Sequence, residues 1–226
     1  MLPNNDSYPT AVNCCQLKKT DHLTQKQYEQ IAALIFETDP YIYPAMFEGE
    51  IPAKEAAVKV LPEVILAGND EMFRKENIFV CLAGEDIIGL ILWYKGYMNW
   101  DVRAFLKTAR QLGVNLSQDT VFAVGKEYVA EKYSETPLEG DVSIALINIC
   151  VDEKMRGQGI GKKMMTDFIR KHSFVKMELC VLADNLSAVR LYQNMGFQII
   201  RETQGFSLTE AKPSCYDMVR LPIIGG

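Results

Sequence analysis

A glycine-rich run at residues 156–161, with the sequence Arg-Gly-Gln-Gly-Ile-Gly, is the feature that most constrains this chain. The residues before it, 142–151, are apolar and rich in β-branched side chains, which predicts a buried strand. The residues after it, 162–171, carry apolar side chains at helical spacing. Glycines let a ligand approach the backbone, and a helix N-terminus presents unpaired N–H groups and the positive end of its dipole. The run therefore predicts a site for an anion such as a diphosphate.

Two better-known phosphate loops do not fit this run, and a plain strand-to-helix turn is the simplest alternative to a binding site. The dinucleotide pattern G-x-G-x-x-G fails because Lys162 stands where its third glycine belongs. The P-loop fails because no G-K-[ST] follows a spaced glycine. Both motifs also usually open an α/β domain, whereas this run lies late in the chain.

The pattern along the rest of the chain predicts an α/β (α+β) fold. A helix-like, inserted segment at residues 95–140 interrupts it, with no linker that would make the segment an independent domain, so we expect one domain over residues 1–226. In the last third, the alternation of strands and helices implies a mixed sheet whose parallel neighbours are joined by a right-handed crossover. Apolar spacing predicts further helices at 24–37, 53–67 (kinked at Pro62), 103–112, 120–133 and 185–195, and strands at 77–82, 87–94, 175–182, 197–202 and 215–221.

Composition narrows the class of protein. The chain has 226 residues, 48% of them hydrophobic, which suits a sizeable globular core. A net charge of -5 without a basic tract disfavours nucleic acid as a partner. The longest apolar stretch, 87–94, is far shorter than the roughly 20 residues that span a bilayer, so no membrane is expected. Six cysteines without a C-x-x-C pair, and only two histidines, predict no metal site and a reduced, cytoplasmic protein.

Two motifs together resemble the signatures of one known family. Residues 149–161 resemble the acetyl-CoA signature of the GNAT N-acetyltransferase superfamily, whose core pattern is [QR]-x-x-G-x-[GA]. A second signature is an asparagine before a helix, followed by A-x-x-L-Y and then G-F. The matching residues are Arg156, Gly159 and Gly161 in the first signature, and Asn185, Ala188, Leu191, Tyr192, Gly196 and Phe197 in the second.

The resemblance implies both a fold and a cofactor site. The implied fold is that of GNAT acyl-CoA N-acyltransferases, a mixed central sheet flanked by helices, here with a helical insertion between strands 3 and 4. In this family the strand before the glycine run splays from the next one, near residues 179–181, and acetyl-CoA enters the wedge. Backbone N–H groups of the glycine run hold its pyrophosphate, and the strand end lines its pantetheine and acetyl group. The cofactor-binding residues implied here are Ile149, Cys150, Val151, Arg156, Gly157, Gln158, Gly159, Ile160, Gly161, Lys162 and Asn185.

The implied reaction is transfer of an acetyl group from acetyl-CoA to an amine by direct attack, with Tyr192 as the general acid. The alternatives are a packed aromatic ring for Tyr192 and a plain helix N-cap for Asn185. The general base stays open, because the strand before the glycine run has no carboxylate and Asn148 could only orient a water. Glu48, Glu50, Glu139 and Asp141 are candidate bases, although each is more simply a solvated charge.

A second functional hypothesis is a CoA-binding sensor or regulatory module of the same fold without catalysis. A covalent route through Cys150 is disfavoured, because the cysteine lies in an apolar strand without a partner histidine. The expected partner is a small-molecule or peptide amine acceptor, and a homodimer is possible. An aromatic set at the expected acceptor entrance is either core or pocket wall: Tyr41, Tyr43, Phe47, Trp93, Tyr94, Tyr97 and Trp100.

Overall fold

The computed structural model describes residues 12–96, 100–130, 143–205 and 213–222. Its strands form one mixed sheet in the order β1-β2-β3-β4-β5-β7-β6. The strands are β1 Val12–Gln16, β2 Ile78–Ala83, β3 Asp86–Lys95, β4 Ile144–Val151, β5 Met177–Leu182, β6 Gln198–Gln204 and β7 Ser214–Arg220. The helices are α1 Gln25–Glu37, α2 Ile42–Met46, α3 Ala53–Ala67, α4 Val102–Gln111, α5 Gln118–Ala130, α6 Ile160–Lys171 and α7 Leu186–Asn194.

The mixed sheet confirms the predicted fold class. Strands β4 and β5 pair in parallel and are joined through α6, while the other neighbouring strands pair antiparallel. A parallel pair needs a crossover connection, which α6 provides because its apolar side packs on the sheet. Phe168 of α6 contacts Phe79 and Trp93 edge-on, with ring centroids 5.5 and 5.7 Å apart.

Alternation along the strands places helices on both faces of the sheet. Along β2, Ile78 and Val80 face one apolar layer, whereas Phe79 and Cys81 face the other. Helices α1 to α5 pack into the first layer, and α6 and α7 into the second. Among the described residues, no helix combines the length and apolar character needed to cross a bilayer.

The helical insertion follows β3 as predicted, and its described part packs into the first layer. Trp100 lies 6.4 Å from Phe73 and 5.4 Å from Phe105, measured between ring centroids. Phe105 of α4 also contacts Phe47, near the end of α2. These rings belong to the core, so for Phe47 and Trp100 the packing interpretation holds. Tyr97, named with them, lies outside the described residues.

Three local features differ from the sequence-based expectations. Strand β1 was not predicted, because five residues of mixed polarity give too short a pattern. A short helix, α2, lies between the first two predicted helices, where no helix was predicted. Helix α6 begins at Ile160 rather than at residue 162, immediately after Gly159 in the left-handed region.

A disulfide joins Cys14 of β1 to Cys81 of β2. The two residues are directly opposed in the antiparallel pairing, with Cα atoms 4.1 Å apart. The expectation that every cysteine is reduced is therefore wrong for this pair. It was made without β1, and only β1 brings Cys14 opposite Cys81.

Candidate functional site

The sheet opens between its two parallel strands. The β4–β5 ladder joins only residues 144–146 with residues 177–179. Beyond it, β4 continues against β3 as far as Val151, and β5 continues against β7 as far as Leu182. Residues 147–151 and 180–182 thus bound an opening at the carboxyl ends of both strands, which we call the wedge. Carboxyl ends of strands are where open α/β sheets bind ligands.

Backbone groups of β4 face the wedge. The register between β3 and β4 shifts at Leu92 and Trp93, which leaves Ile147 as a bulge. After the bulge, the Asp152 N–H bonds to the Ile88 carbonyl of β3 at 2.9 Å. Because backbone groups alternate along a strand, the N–H and C=O groups of Ile149 and Val151 point the other way, into the wedge. A ligand with amide groups could pair with them, as buried strand polar groups require.

The N-terminus of α6 lies at the mouth of the wedge. No side chain caps this helix, and its first intrahelical bond runs from the Lys163 N–H to the Gly159 carbonyl at 2.9 Å. The N–H groups of Ile160, Gly161 and Lys162 therefore have no partner within the helix. A Cβ on Gly161 would lie 3.7 Å from Val151, which places this end of α6 beside the end of β4. The geometry is that of an anion site.

Two further glycines shape the approach to this helix. Gly157 and Gly159 have φ angles of +77° and +78°, in a region that side chains disfavour. Gln158 between them is exposed, and its side-chain amide donates to the Lys154 carbonyl at 3.3 Å. The loop thus turns its backbone, rather than side chains, toward the helix N-terminus.

Arg156 connects the loop to two other elements. Its Nε donates to the Val151 carbonyl at 2.9 Å, and its Nη2 lies 3.8 Å from an oxygen of Glu37. Glu37 is the last residue of α1, and its other oxygen accepts from Lys54 at 2.7 Å. A carboxylate therefore stands beside the wedge. Glu37 was not predicted as a site residue, because spacing along the chain gives no sign that the end of α1 meets this loop.

Tyr192 lies in α7 on the same side of the sheet as α6, and its side chain is buried. Its ring centroid is 6.0 Å from that of Phe197. Burial raises the pKa of Tyr192 well above its usual range, and the nearby Cys150 thiol raises it further. The hydroxyl consequently stays protonated and can donate a hydrogen bond or a proton.

Cys150 lies at the wedge end of β4 and is also buried. Burial raises the pKa of its thiol to about 11; the Arg156 charge opposes this shift, and the Glu37 charge adds to it. The contacts of Arg156 with the Val151 carbonyl and with Glu37 place both charged groups beside this end of β4. A thiol with a raised pKa is a poor nucleophile at neutral pH, because the thiolate is the reactive form.

Asn185 caps the N-terminus of α7. Its Oδ1 accepts from the Ala188 N–H at 3.2 Å and from the Ser187 hydroxyl at 3.0 Å. The N-cap interpretation is therefore correct for this residue. Its side chain is exposed, so a cofactor contact remains open to it.

Asn148 of β4 joins a buried polar network instead of facing solvent. Its Oδ1 accepts from the Tyr43 hydroxyl at 3.0 Å, and its amide donates to the Thr38 hydroxyl. Both partners lie in or beside the α1–α2 connection. Asn148 thus holds that connection against β4, and Tyr43 is committed to this network.

Of the four candidate bases, the structure describes two, and these lie in a groove beside α2. Glu48 and Glu50 are exposed in an open groove of about 600 Å³ beside α2, which Tyr41 also lines. Glu139 and Asp141 lie outside the described residues. Of the predicted site residues, the structure brings together Ile149 to Val151, the loop from Arg156 to Lys162, and Tyr192.

Comparisons with known proteins agree with this geometry. A family model described as "Acetyltransferase (GNAT) domain" matches residues 118–199, a range that holds both motifs. A spermine/spermidine N(1)-acetyltransferase of Bacillus subtilis is 36% identical over a 52-residue alignment, which covers 21% of this chain and 34% of the relative. The match thus spans about a third of the length of that curated relative.

Solved structures share the fold at low sequence identity. An acetyltransferase of Corynebacterium glutamicum, described as histone acetyltransferase HPA2 and related acetyltransferase, aligns with a TM-score of 0.60 and 14% identity. That alignment covers 96% of this chain and 99% of the other. An N-acetyltransferase of Staphylococcus aureus aligns with a TM-score of 0.58 and 15% identity, covering 92% and 99%. Residues 118–199 thus match a GNAT acetyltransferase domain, and the chain as a whole shares its fold with these solved acetyltransferases.

Proposed function

We propose that this chain is an acetyl-CoA-dependent N-acetyltransferase acting on an amine by direct transfer. The observation that carries the proposal is the wedge between β4 and β5, with the uncapped N-terminus of α6 at its mouth. An extended ligand with a diphosphate at one end and amides along its length complements these two features together. Bound acetyl-CoA would supply an activated thioester, whose acyl carbon the amine attacks with release of the CoA thiol.

The backbone of the chain would hold this cofactor. The N–H groups of Ile160, Gly161 and Lys162 suit the diphosphate, because charge-assisted bonds to a helix N-terminus favour anions. The wedge-facing groups of Ile149 and Val151 suit the amides. Arg156 adds a positive charge at the same mouth. The residues present therefore fit the cofactor without a metal ion.

Tyr192 is the proposed proton donor to the leaving thiolate. Its hydroxyl is held protonated by burial, so the donor is available throughout the neutral pH range. The raised pKa also makes proton release less favourable than from an ordinary tyrosine. Tyr192 therefore at least donates a hydrogen bond to the leaving sulfur, and full proton transfer is the further step. The buried, protonated Cys150 supports direct attack rather than an acyl-cysteine.

The acceptor is proposed to be a small-molecule or peptide amine. The Bacillus subtilis relative is named for spermine and spermidine, so polyamines are the first acceptors to test. The test is thiol release from acetyl-CoA over a panel of polyamines, amino acids and peptides. Turnover with at least one amine, together with acetyl-CoA binding measured by calorimetry, is the expected result.

A catalytically silent CoA sensor is the second candidate. The observation that favours it is the absence of a carboxylate on β4, where Asn148 is committed to Thr38 and Tyr43. Tight acetyl-CoA binding without turnover of any acceptor would favour this candidate. Failure to bind acetyl-CoA would exclude both.

A homodimer remains a proposal as well. Strand β6 is an edge of the sheet, and six of its seven residues are exposed. An exposed edge with apolar side chains such as Ile199 and Ile200 is a surface on which a second copy could pair. Sedimentation equilibrium would measure this directly.

A further inference from the structure

The Glu37 carboxylate is an acidic group that lies beside the wedge, next to Arg156. Its side chain is 30% exposed, so solvent and ligands can reach it. One oxygen is held by Lys54 at 2.7 Å, whereas the other lies 3.8 Å from Arg156. Its charge reaches the Cys150 thiol, whose pKa it raises. Through Arg156, which bonds to the Val151 carbonyl, Glu37 therefore lies beside the wedge end of β4.

The contact between Glu37 and Arg156 is the weak one. At 3.8 Å between half-exposed side chains, such an ion pair contributes about 0–1 kcal/mol. Arg156 belongs to the loop that presents the anion site, and a guanidinium forms stronger, often bidentate bonds with phosphate oxygens. A diphosphate at the α6 N-terminus would therefore attract Arg156 away from Glu37.

A bound ligand would also replace the second contact of Arg156, its hydrogen bond to a backbone carbonyl. Its Nε donates a hydrogen bond to the Val151 carbonyl, which faces the wedge. A ligand amide N–H that pairs with this carbonyl would compete with the guanidinium for the same acceptor. Arg156 thus has two contacts that an extended diphosphate ligand would replace, and Glu37 would lose one cationic partner when they are replaced.

On the basis of the proposed function, we propose that Glu37 binds a cationic nitrogen of the acceptor, and that it becomes free to do so when the CoA diphosphate takes Arg156. The acceptor class is an amine with a second positive charge, such as a diamine or polyamine. The reacting nitrogen attacks the thioester, while the second, protonated nitrogen replaces Arg156 at Glu37. Acceptor binding then follows cofactor binding.

Kinetics with two acceptors of equal chain length test the charge requirement. In the full-length chain, Glu37→Gln should raise the KM for putrescine roughly tenfold or more, the size of a lost bond to a charged group. The KM for butylamine, which lacks the second charge, should not change, and Glu37→Asp should restore part of the loss. Glu29→Gln, an exposed carboxamide substitution on the same helix, is the matched control.

Calorimetry tests the exchange of Arg156. In the wild-type chain, putrescine should bind about two- to fivefold more tightly with CoA present than without it, the size of a half-exposed ion pair that the diphosphate removes. Arg156→Gln should make putrescine binding independent of CoA, because Glu37 is then already free. In Glu37→Gln the enhancement by CoA should disappear while CoA itself still binds.

The possible failures are distinguishable. If wild type binds no CoA and acetylates no amine, the proposed function fails and the role of Glu37 fails with it. If wild type acetylates amines but Glu37→Gln leaves the KM for putrescine unchanged, only the role of Glu37 is overturned. Equal KM values for putrescine and butylamine in wild type would overturn it in the same way.

Discussion

Gly159 and Gly161 are neighbours in one motif, yet a methyl group should cost very different amounts at the two positions. Gly159 has a φ of +78°, where a side chain costs roughly 1–2 kcal/mol. A Cβ on Gly161 would meet only Leu191 and Val151 atoms at 3.7 Å, an ordinary contact distance. We expect Gly159→Ala to lower the free energy of unfolding by about that amount and to weaken acetyl-CoA binding roughly tenfold, by misaligning the α6 amides.

Gly161→Ala is the matched control and should leave both quantities near the wild-type values. Chemical denaturation and calorimetry measure them. Equal losses of stability and affinity for the two substitutions would contradict the expectation that only position 159 requires a glycine.

Tyr192 offers the most direct test of the chemical step. Tyr192→Phe keeps the ring that contacts Phe197 and removes only the hydroxyl. Loss of a general acid should lower kcat by about 10²-fold or more, with acetyl-CoA affinity unchanged. Because burial and Cys150 raise the pKa of this hydroxyl, wild-type kcat should show no decline caused by Tyr192 below about pH 10.

Steady-state thiol release across pH measures both expectations. A wild-type rate in the Phe variant would remove Tyr192 from the mechanism. A high-pH decline below that value that is present in wild type and absent from the variant would contradict the raised pKa.

Some helices and strands of this fold are determined by their own residues, whereas others depend on contacts with distant parts of the chain. Thr24 and Gln27 form a capping box, and Asn185 caps α7, so both helix starts follow from local chemistry and were predicted to within a residue. Pro62 does not end α3, because it is buried in a helix that other contacts hold. Strand β1 becomes visible only through its partner β2, since five residues carry too little periodicity.

The connection between α3 and β2 holds a buried carboxyl with an altered titration. Asp70 is 3% exposed, and burial raises its pKa to about 6. Hydrogen bonds from the Met72 and Phe73 amides oppose the shift, and the Asp101 charge adds to it. Neither Asp70 Oδ2 nor the indole N–H of Trp100, at the start of the insertion, makes a well-formed hydrogen bond in the described part of the chain.

This carboxyl should make the stability of the fold depend on pH. The folded pKa lies above the unfolded value, so the contribution of Asp70 is fully present below about pH 4 and is lost as the pH rises through about 6. A shift of about two units corresponds to about 3 kcal/mol. Wild type should therefore lose about that much more stability between pH 4 and pH 7 than Asp70→Asn does.

Urea denaturation at the two pH values measures this difference. Asp119→Asn, an exposed change on α5, is the control and should follow wild type. Parallel pH profiles for wild type and Asp70→Asn would contradict the assigned titration.

At the scale of the whole molecule, what the sequence could predict depends on how far apart the interacting residues lie in the chain. The glycine run and α6 are adjacent, so the anion site was predicted from local pattern alone. The proximity of Glu37 to Arg156 depends on how α1 packs across the sheet, and no local pattern records it. The same holds for Asn148, whose partners Thr38 and Tyr43 come from a distant helix connection. Local chemistry therefore predicts the proposed cofactor side of the site, whereas tertiary packing determines the proposed acceptor side.

The disulfide is the longest covalent constraint on this packing. It links Cys14 and Cys81 across 67 residues and thereby encloses α1, α2 and α3. Closing a loop of this size stabilises a fold by about 2–4 kcal/mol, mainly by restricting the unfolded chain. Cys14→Ser should lower the free energy of unfolding by about that amount, whereas Cys15→Ser, a free cysteine in the same strand, should change it little.

Thiol counting separates the disulfide from simple packing of two cysteines. Because the disulfide takes up Cys14 and Cys81, denatured, unreduced protein should react with two fewer equivalents of an alkylating reagent, four rather than the six of reduced protein. If the count is six without reductant, Cys14 and Cys81 pack as thiols, and the two serine variants should then have similar stability. If it is four, reductant should lower wild-type stability to that of Cys14→Ser and leave the variant unchanged. The chain segment that carries Glu37 would then be closed into a loop by a bond that depends on the redox conditions around the protein.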